Sequence, residues 1–384
     1  MSSPILPGAT IGIVGGGQLG RLTGMAARAM GYDVHVLDPD PACAARAIAS
    51  RTVTAPFADA AAAEDFASAV HVVTLEIEQV PSASLAAAAR HAPVHPSADA
   101  VHIVQDRARQ KAWLAANGFP IGPMQVVTTA DECRAAVRAL APCIVKSTMG
   151  GYDGRGQRRV RDREGGAAAF AAIGAPACVV EQFLDVATEI SVMTARRADG
   201  TMTSFPPSLN HHDDGILTWS VAPAPIGEPR TREAITIAQG ITEQLGIIGL
   251  LAVELFITTD GRLLVNETAP RPHNTFHQTE RGASVSQFEQ LVRAVCGLPL
   301  EAPTTLVPAA IHNLLGDCWA HGEPDFTRAW ALPGVRVHLY GKPGARPGRK
   351  MGHLSAVADT PEGARDLVRL AFAALTRPAP SPPR

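Results

Sequence analysis

The chain has 384 residues, 46% of them hydrophobic and 18% charged, the make-up of an ordinary globular protein large enough for two or three domains. Its formal net charge of −2 gives no general attraction to nucleic acid or to an anionic membrane, so an anionic ligand has to be met by local basic groups. No run of about 18 uncharged apolar residues occurs, and the opening MSSPILPGAT lacks the basic start and apolar stretch of a signal peptide, so neither a membrane span nor an export signal is expected.

Thr10–Val14 reads as a short apolar strand, followed by the turn Gly15-Gly16-Gly17-Gln18-Leu19-Gly20 and an Ala/Met-rich helix to about Met30. Val34–Leu37 and Val70–Thr74 are the next strands, and strand–helix alternation with short turns predicts a parallel, doubly wound sheet. The turn has G-x-G-x-x-G spacing, and Asp38 stands where a dinucleotide fold keeps its ribose-binding acid, so an NAD-dependent oxidoreductase is one reading. A substrate phosphate satisfies the same backbone N–H groups equally well.

A helix is predicted over Arg107–Asn117, ended by Gly-Phe-Pro-Ile-Gly-Pro. An α+β pattern follows, with strands at Cys143–Lys146, Ala177–Glu181 and Leu250–Thr258. Lys146 ends an apolar strand, and the loop after it, Gly150 to Gln157, has four glycines in its first seven residues. Such a loop lays backbone N–H groups along phosphates while Lys146 and Arg155 supply charge. No G-x-x-x-x-G-K-[ST] is present, so this is not a P-loop. Glu181-Gln182-Phe183-Leu184 runs from strand to turn and can offer backbone groups to an adenine edge, with Glu189 nearby for ribose hydroxyls.

In Leu251–Arg271 two strand-like runs flank Asp260-Gly261, the preferred dipeptide of a two-residue type I′ hairpin. Glu254 and Glu267 stand equally far from that dipeptide, so they are expected to face each other across the ladder. Opposed like charges are destabilising, and a bridging divalent cation with hard oxygen ligands, such as Mg²⁺, gives the arrangement a purpose. Further on, a strand is expected at Val335–Tyr340 and a helix at Pro361–Leu375, before a disordered tail, 376–384. The six cysteines lack a CxxC pair and read as buried free thiols of a reducing compartment. Only four lysines, at 111, 146, 342 and 350, stand against thirty arginines, which marks them as candidates for places needing a compact ammonium.

Taken in order, the lysine strand, glycine loop, Glu-Gln turn, Glu189, Glu254, Asn266-Glu267 and Pro270-Arg271 resemble the ATP-grasp ligases over nearly the whole chain. The segments GGGQLGR, TLEIEQV (74–80), GGYDGRGQ (150–157), NETAPRPHN (266–274) and RPGRKMGH (346–353) are similar to the 5-(carboxyamino)imidazole ribonucleotide synthase family of de novo purine biosynthesis. The resemblance implies an α/β and α+β fold: a Rossmann-like pre-ATP-grasp domain over 1–106, an ATP-grasp domain over 107–297 and a small C-terminal α+β domain over 298–375.

By that resemblance Arg107, Lys146, Gly151, Tyr152, Asp153, Gly154, Arg155, Gly156, Gln157, Glu181, Gln182, Phe183, Leu184, Glu189, His212, Asn266 and Glu267 would surround ATP. Glu254 and Glu267 would hold magnesium or manganese. Tyr152, Asp153, Arg155, Arg271, His273, Asn274 and Lys350 would surround the bicarbonate-derived group and the ribonucleotide. Glu76 and the glycine turn would close the first domain's side. Ala269 departs from the pattern, since many ATP-grasp members carry a third, asparagine-type metal ligand there. The implied reaction joins ATP, bicarbonate and aminoimidazole ribonucleotide through carboxyphosphate, in a cytoplasmic homodimer with no nucleic-acid or membrane partner. A formate-dependent ATP-grasp transformylase, the NAD oxidoreductase and a non-catalytic ATP sensor are the rival readings.

Overall fold

The computed structural model describes residues 3–150 and 156–376. Gly151, Tyr152, Asp153, Gly154 and Arg155, and the expected tail from 377 onward, lie outside the described residues. Near the N-terminus five parallel strands lie in the order Arg51–Thr54, Asp33–Asp38, Thr10–Val14, Val72–Leu75 and Val94–His95. The predicted doubly wound sheet is therefore present, with the third predicted strand beginning two residues later and ending one residue later than expected. Helix Gln18–Ala29 follows the glycine turn and packs against helix Gln287–Val295. One apolar core thus runs from Ile11 and Val34 through to Met193, Leu250 and Phe276.

A nine-stranded sheet forms the centre, in the order Leu263–Ala269, Gly249–Thr258, Val186–Arg196, Ser208–Asp213, Ile216–Ala222, Ala309–Leu315, Lys350–Val357 and Val335–Leu339, with Met202–Ser204 beside Val186–Arg196. The strands after residue 298 thus extend the same sheet as the central segment, and helix Pro361–Thr376 covers them through Ala364, Val368 and Ala371. A smaller sheet, ordered Met124–Val127, Cys178–Gln182, Cys143–Ser147 and Gln157–Val160, buries Val127, Val145 and Val180 under helices Ala130–Leu140 and Gly166–Ile173. Strand alternation turns Ile144 and Lys146 to its other face, and pairing of Ile144 with Glu181 brings that glutamate to the same face.

Helix Arg107–Ala116 starts where the Asp106 carboxylate accepts from the Arg109 N–H at 2.9 Å, and it ends just before Gly118, whose φ is +76°. It packs against strands Cys178–Gln182 and Leu263–Ala269. All six cysteines are free thiols, five of them buried. Among the described residues no helix is long and apolar enough to cross a membrane.

Candidate active site

The hairpin that carries the paired glutamates departs from the expected geometry in two ways. Thr258 N–H donates to Arg262 O, so the loop has three residues, Thr259-Asp260-Gly261, and only Gly261 takes a positive φ, +84°. That is the three-residue hairpin with a left-handed glycine, not a type I′ turn. Leu255 consequently pairs with Val265, and a bulge at Asn266 then restores the pairing of Glu254 with Glu267. The two departures cancel, and the expected facing pair is present.

On the same face Glu254 pairs with Ser191, and two residues along that strand Glu189 Oε2 lies 2.6 Å from His212 Nδ1. Burial, and after it the charge of Glu267, pushes the Glu254 carboxyl up to about 7. Asn266 Nδ2 donates to Glu254 Oε2 at 3.3 Å, and His273 Nε2 lies 3.6 Å from Glu254 Oε1. Arg107 Nη2 stands 3.5 Å from Glu267 Oε2 while its Nη1 donates to Ser147 O at 3.0 Å. Arg107 therefore ties the lysine strand to the paired acids. Ala269 pairs with Ala252 and offers no ligand atom.

On the smaller sheet Lys146 Nζ donates to Glu181 Oε2 at 2.9 Å. Burial opposes ionisation of Glu181, but Lys111 and Lys146 outweigh it and hold the carboxyl down at about 2. Gln157 pairs with Lys146, and Gly156 O accepts from Ser147 N–H at 2.8 Å. Gln182 and Phe183 donate their N–H groups to Pro123 O and Pro142 O, and the Phe183 ring is exposed. Leu184 packs close to Gly122. The expected phosphate-facing loop residues Gly151, Tyr152, Asp153, Gly154 and Arg155 fall outside the described residues.

Arg271 forms a two-pronged ion pair with Glu78, Nε to Oε2 at 2.5 Å and Nη2 to Oε1 at 3.0 Å. His273 Nδ1 lies 2.8 Å from Thr275 Oγ1. Burial first, then the charges of Arg271 and Lys350, hold the His273 imidazole well below its ordinary range, so it is neutral. Asn274 is buried, and neither atom of its amide has a hydrogen-bond partner among the described residues. A buried amide left without partners marks a place where a ligand supplies them. Lys350 begins strand Lys350–Val357, close enough for its charge to act on both His273 and His277.

The glycine turn is not open to a dinucleotide. Gly17 and Gly20 N–H groups donate to the two carboxyl oxygens of Glu76 at 2.5 and 2.6 Å, so the helix N-terminus is already occupied by a side chain of the protein. A Cβ on Gly17 would stand 2.2 Å from Glu76 Oε1, which is why glycine is required there. Asp38 accepts from Gly16 N–H at 2.6 Å and from Asp40 N–H at 2.7 Å, so it braces the turn instead of meeting a ribose. The oxidoreductase reading fails on these contacts.

One residue of the site, Glu78, is not singled out in the sequence and is signalled only by standing two places after Glu76 on the TLEIEQV segment. Lys111 is marked there only as one of four lysines, without a role at the site, although it stands one helical turn after Arg107. Elsewhere, Glu280, His338 and His353 bring ligand atoms within 4.8 Å of one another. The two imidazoles are stacked at an interplanar angle of 8° with centroids 4.3 Å apart, so a single ion cannot lie in both ring planes, and the cluster is not a metal site.

The ATP-grasp domain family matches residues 112–288, between a ribonucleotide synthetase preATP-grasp domain at 8–105 and a phosphoribosylaminoimidazole carboxylase C-terminal domain at 309–366. Fold and site together define an ATP-grasp ligase. The chain is 39% identical over 357 residues to the N5-carboxyaminoimidazole ribonucleotide synthase of Brucella melitensis, covering 91% of this chain and 97% of that one. With the enzyme of the same name from Bacillus subtilis it shares 37% over 352 residues, 91% and 92% of the two chains. The Staphylococcus aureus N5-carboxyaminoimidazole synthetase complexed with ADP matches with a TM-score of 0.91 at 32% identity, over 97% and 99% of the chains. The Aspergillus clavatus synthase in complex with ADP and 5-aminoimidazole ribonucleotide matches with a TM-score of 0.88 at 28% identity, over 96% and 98%. The chain belongs to the N5-carboxyaminoimidazole ribonucleotide synthase family.

Proposed function

We propose that this chain uses ATP and bicarbonate to carboxylate the amine of 5-aminoimidazole ribonucleotide, releasing ADP and phosphate. The observation that carries this reading is the facing Glu254–Glu267 pair, with Arg107 joining Glu267 to the lysine strand and His273 beside Glu254. ATP is placed against Arg107, Lys146 and the strand end at Glu181, with its ribose towards Glu189 and His212. The ribonucleotide is placed against Arg271, His273, Asn274 and Lys350. Membership in the family and the relatives solved with ADP and with 5-aminoimidazole ribonucleotide support that division.

Glu254 and Glu267 fit a divalent cation: opposed carboxylates, one of them largely buried, are mutually repelled without one. Magnesium held there would neutralise charge on the terminal phosphates. A bicarbonate oxygen attacks the γ-phosphorus, the bond to ADP breaks, and carboxyphosphate forms. The exocyclic amine then attacks the carboxyl carbon, phosphate leaves, and the amine loses a proton. Neutral His273 is in the form that accepts that proton. Carboxyphosphate hydrolyses readily, so the site has to exclude water while the second step proceeds.

ADP formation is expected to need Mg²⁺ and to rise sharply only when the ribonucleotide and bicarbonate are both present. Equal turnover with formate, or ADP formation indifferent to the ribonucleotide, would overturn the assignment. The two basic positions are separable in the same assay. Lys350→Ala is expected to raise the Michaelis constant for the ribonucleotide or to lower turnover, with the affinity for ATP alone held within about twofold. Lys146→Ala is expected to weaken ATP directly. Equal weakening of ATP by both variants would show that the division of labour is wrong.

A further inference from the structure

The charges of two lysines act on Glu181, and one of the two, Lys146, is in direct contact with it. Lys146 Nζ bonds Glu181 Oε2 at 2.9 Å, while Glu181 Oε1 is buried without a hydrogen-bond partner among the described residues. Lys111 is only 4% exposed, yet among the described residues its Nζ reaches nothing better than Val265 O at 3.4 Å, a long contact for one of three donors. Its position follows from the fold, because helix Arg107–Ala116 packs on both the Glu181 strand and the Glu267 strand. Glu181 is the first of the charges that act on Lys111, and Lys111 the first of those that act on Glu181.

We propose that Lys111 is a positioning residue of the nucleotide site: it takes over Glu181 when Lys146 leaves that carboxylate for the phosphates of ATP. The inference rests on the reading above that Lys146 meets the phosphates. A lysine already paired with a buried carboxylate can turn to a phosphate only if the carboxylate is left with another cation, because a buried charge stripped of its partner is strongly unfavourable. Lys111 is the buried cation that would meet that need, and the unpartnered Glu181 Oε1 would be its acceptor. A compact ammonium on a flexible stem can move from the Val265 carbonyl to the carboxylate, where a planar guanidinium fork would hold one geometry. This accounts for a lysine at 111 in a chain that otherwise uses arginine.

The test is calorimetric titration of ADP into the wild type, Lys111→Met, Lys111→Met/Glu181→Gln and Lys146→Met, with ATP kinetics alongside. Lys111→Met is expected to weaken ADP by about tenfold or more, as loss of a charge-assisted contact does, and to raise KM for ATP more than it lowers kcat. Removing the Glu181 charge in that background is expected to recover most of the affinity, because Lys146 is then no longer held. A double variant that binds ADP no better than Lys111→Met makes Lys111 a packing residue and ends the proposal. Undiminished ADP affinity in Lys146→Met would instead overturn the placement of the phosphates. Should Lys111→Met not fold, a crystal structure of the wild type with ADP decides. Lys146 is expected off Glu181 and Lys111 Nζ on Glu181 Oε1, and both lysines still in their present contacts would refute the handover.

Discussion

Arg271→Ala is expected to remove activity and to destabilise the folded protein by about 3 kcal/mol, the lower end of what breaking a buried ion pair costs. The pair with Glu78 is two-pronged, and the side chains are 19% and 18% exposed, so some solvent remains to soften the loss. Once Arg271 is gone, Glu78 keeps a charge it cannot place. Glu78→Gln in the Arg271→Ala background is therefore expected to restore much of the stability and none of the activity. Arg271→Lys is expected to fail as well, because one ammonium cannot reproduce two parallel bonds to a carboxylate. Denaturant midpoints and ADP-release rates on the same variants separate the two effects. A fully stable Arg271→Ala protein would show that the pair is not needed to join residue 78 to residue 271.

Glu254→Gln and Glu267→Gln are each expected to cut turnover by about a hundredfold or more, the scale of losing a principal electrostatic group in a site. Their effect on stability has the opposite sign. In the metal-free protein the Glu254 carboxyl titrates near 7, above its ordinary 4.5, because burial and the Glu267 charge disfavour ionisation. The folded state therefore holds a proton that the unfolded chain releases. Its contribution to stability is complete below about pH 4.5 and is lost as pH rises through about 7. Glu267→Gln removes one cause of that shift, so the metal-free variant is expected to be more stable than the wild type above pH 7 and flatter in its pH dependence below it. Added Mg²⁺ is expected to stabilise the wild type at pH 8 and to do little for either variant, since only binding to the folded state raises stability. Chemical denaturation across pH 4–8 with a chelator, then with Mg²⁺, reads all three effects. Normal turnover with unchanged metal dependence in either variant would dismiss the pair as the metal site.

The sequence by itself determined the element types, the parallel first sheet, the lysine strand with its glycine loop and the family, because strand and helix periods and short motifs are local properties of the chain. It also brought Glu254 opposite Glu267, but by a cancellation. The assumed two-residue turn has three residues, and a bulge at Asn266 returns the register by one place. Neither could be read from Asp260-Gly261, since that dipeptide serves both hairpins and a bulge is set by what packs across the sheet. Tertiary structure alone decided what fills the glycine turn. The Glu76 carboxyl comes from a different strand, and only the parallel pairing of Val72–Leu75 with Thr10–Val14 carries it there. The same holds for Glu78 on Arg271, 193 positions apart, and for Lys111 beside Glu181. A buried charge is defined by what surrounds it, and those surroundings come from segments that no local pattern brings together.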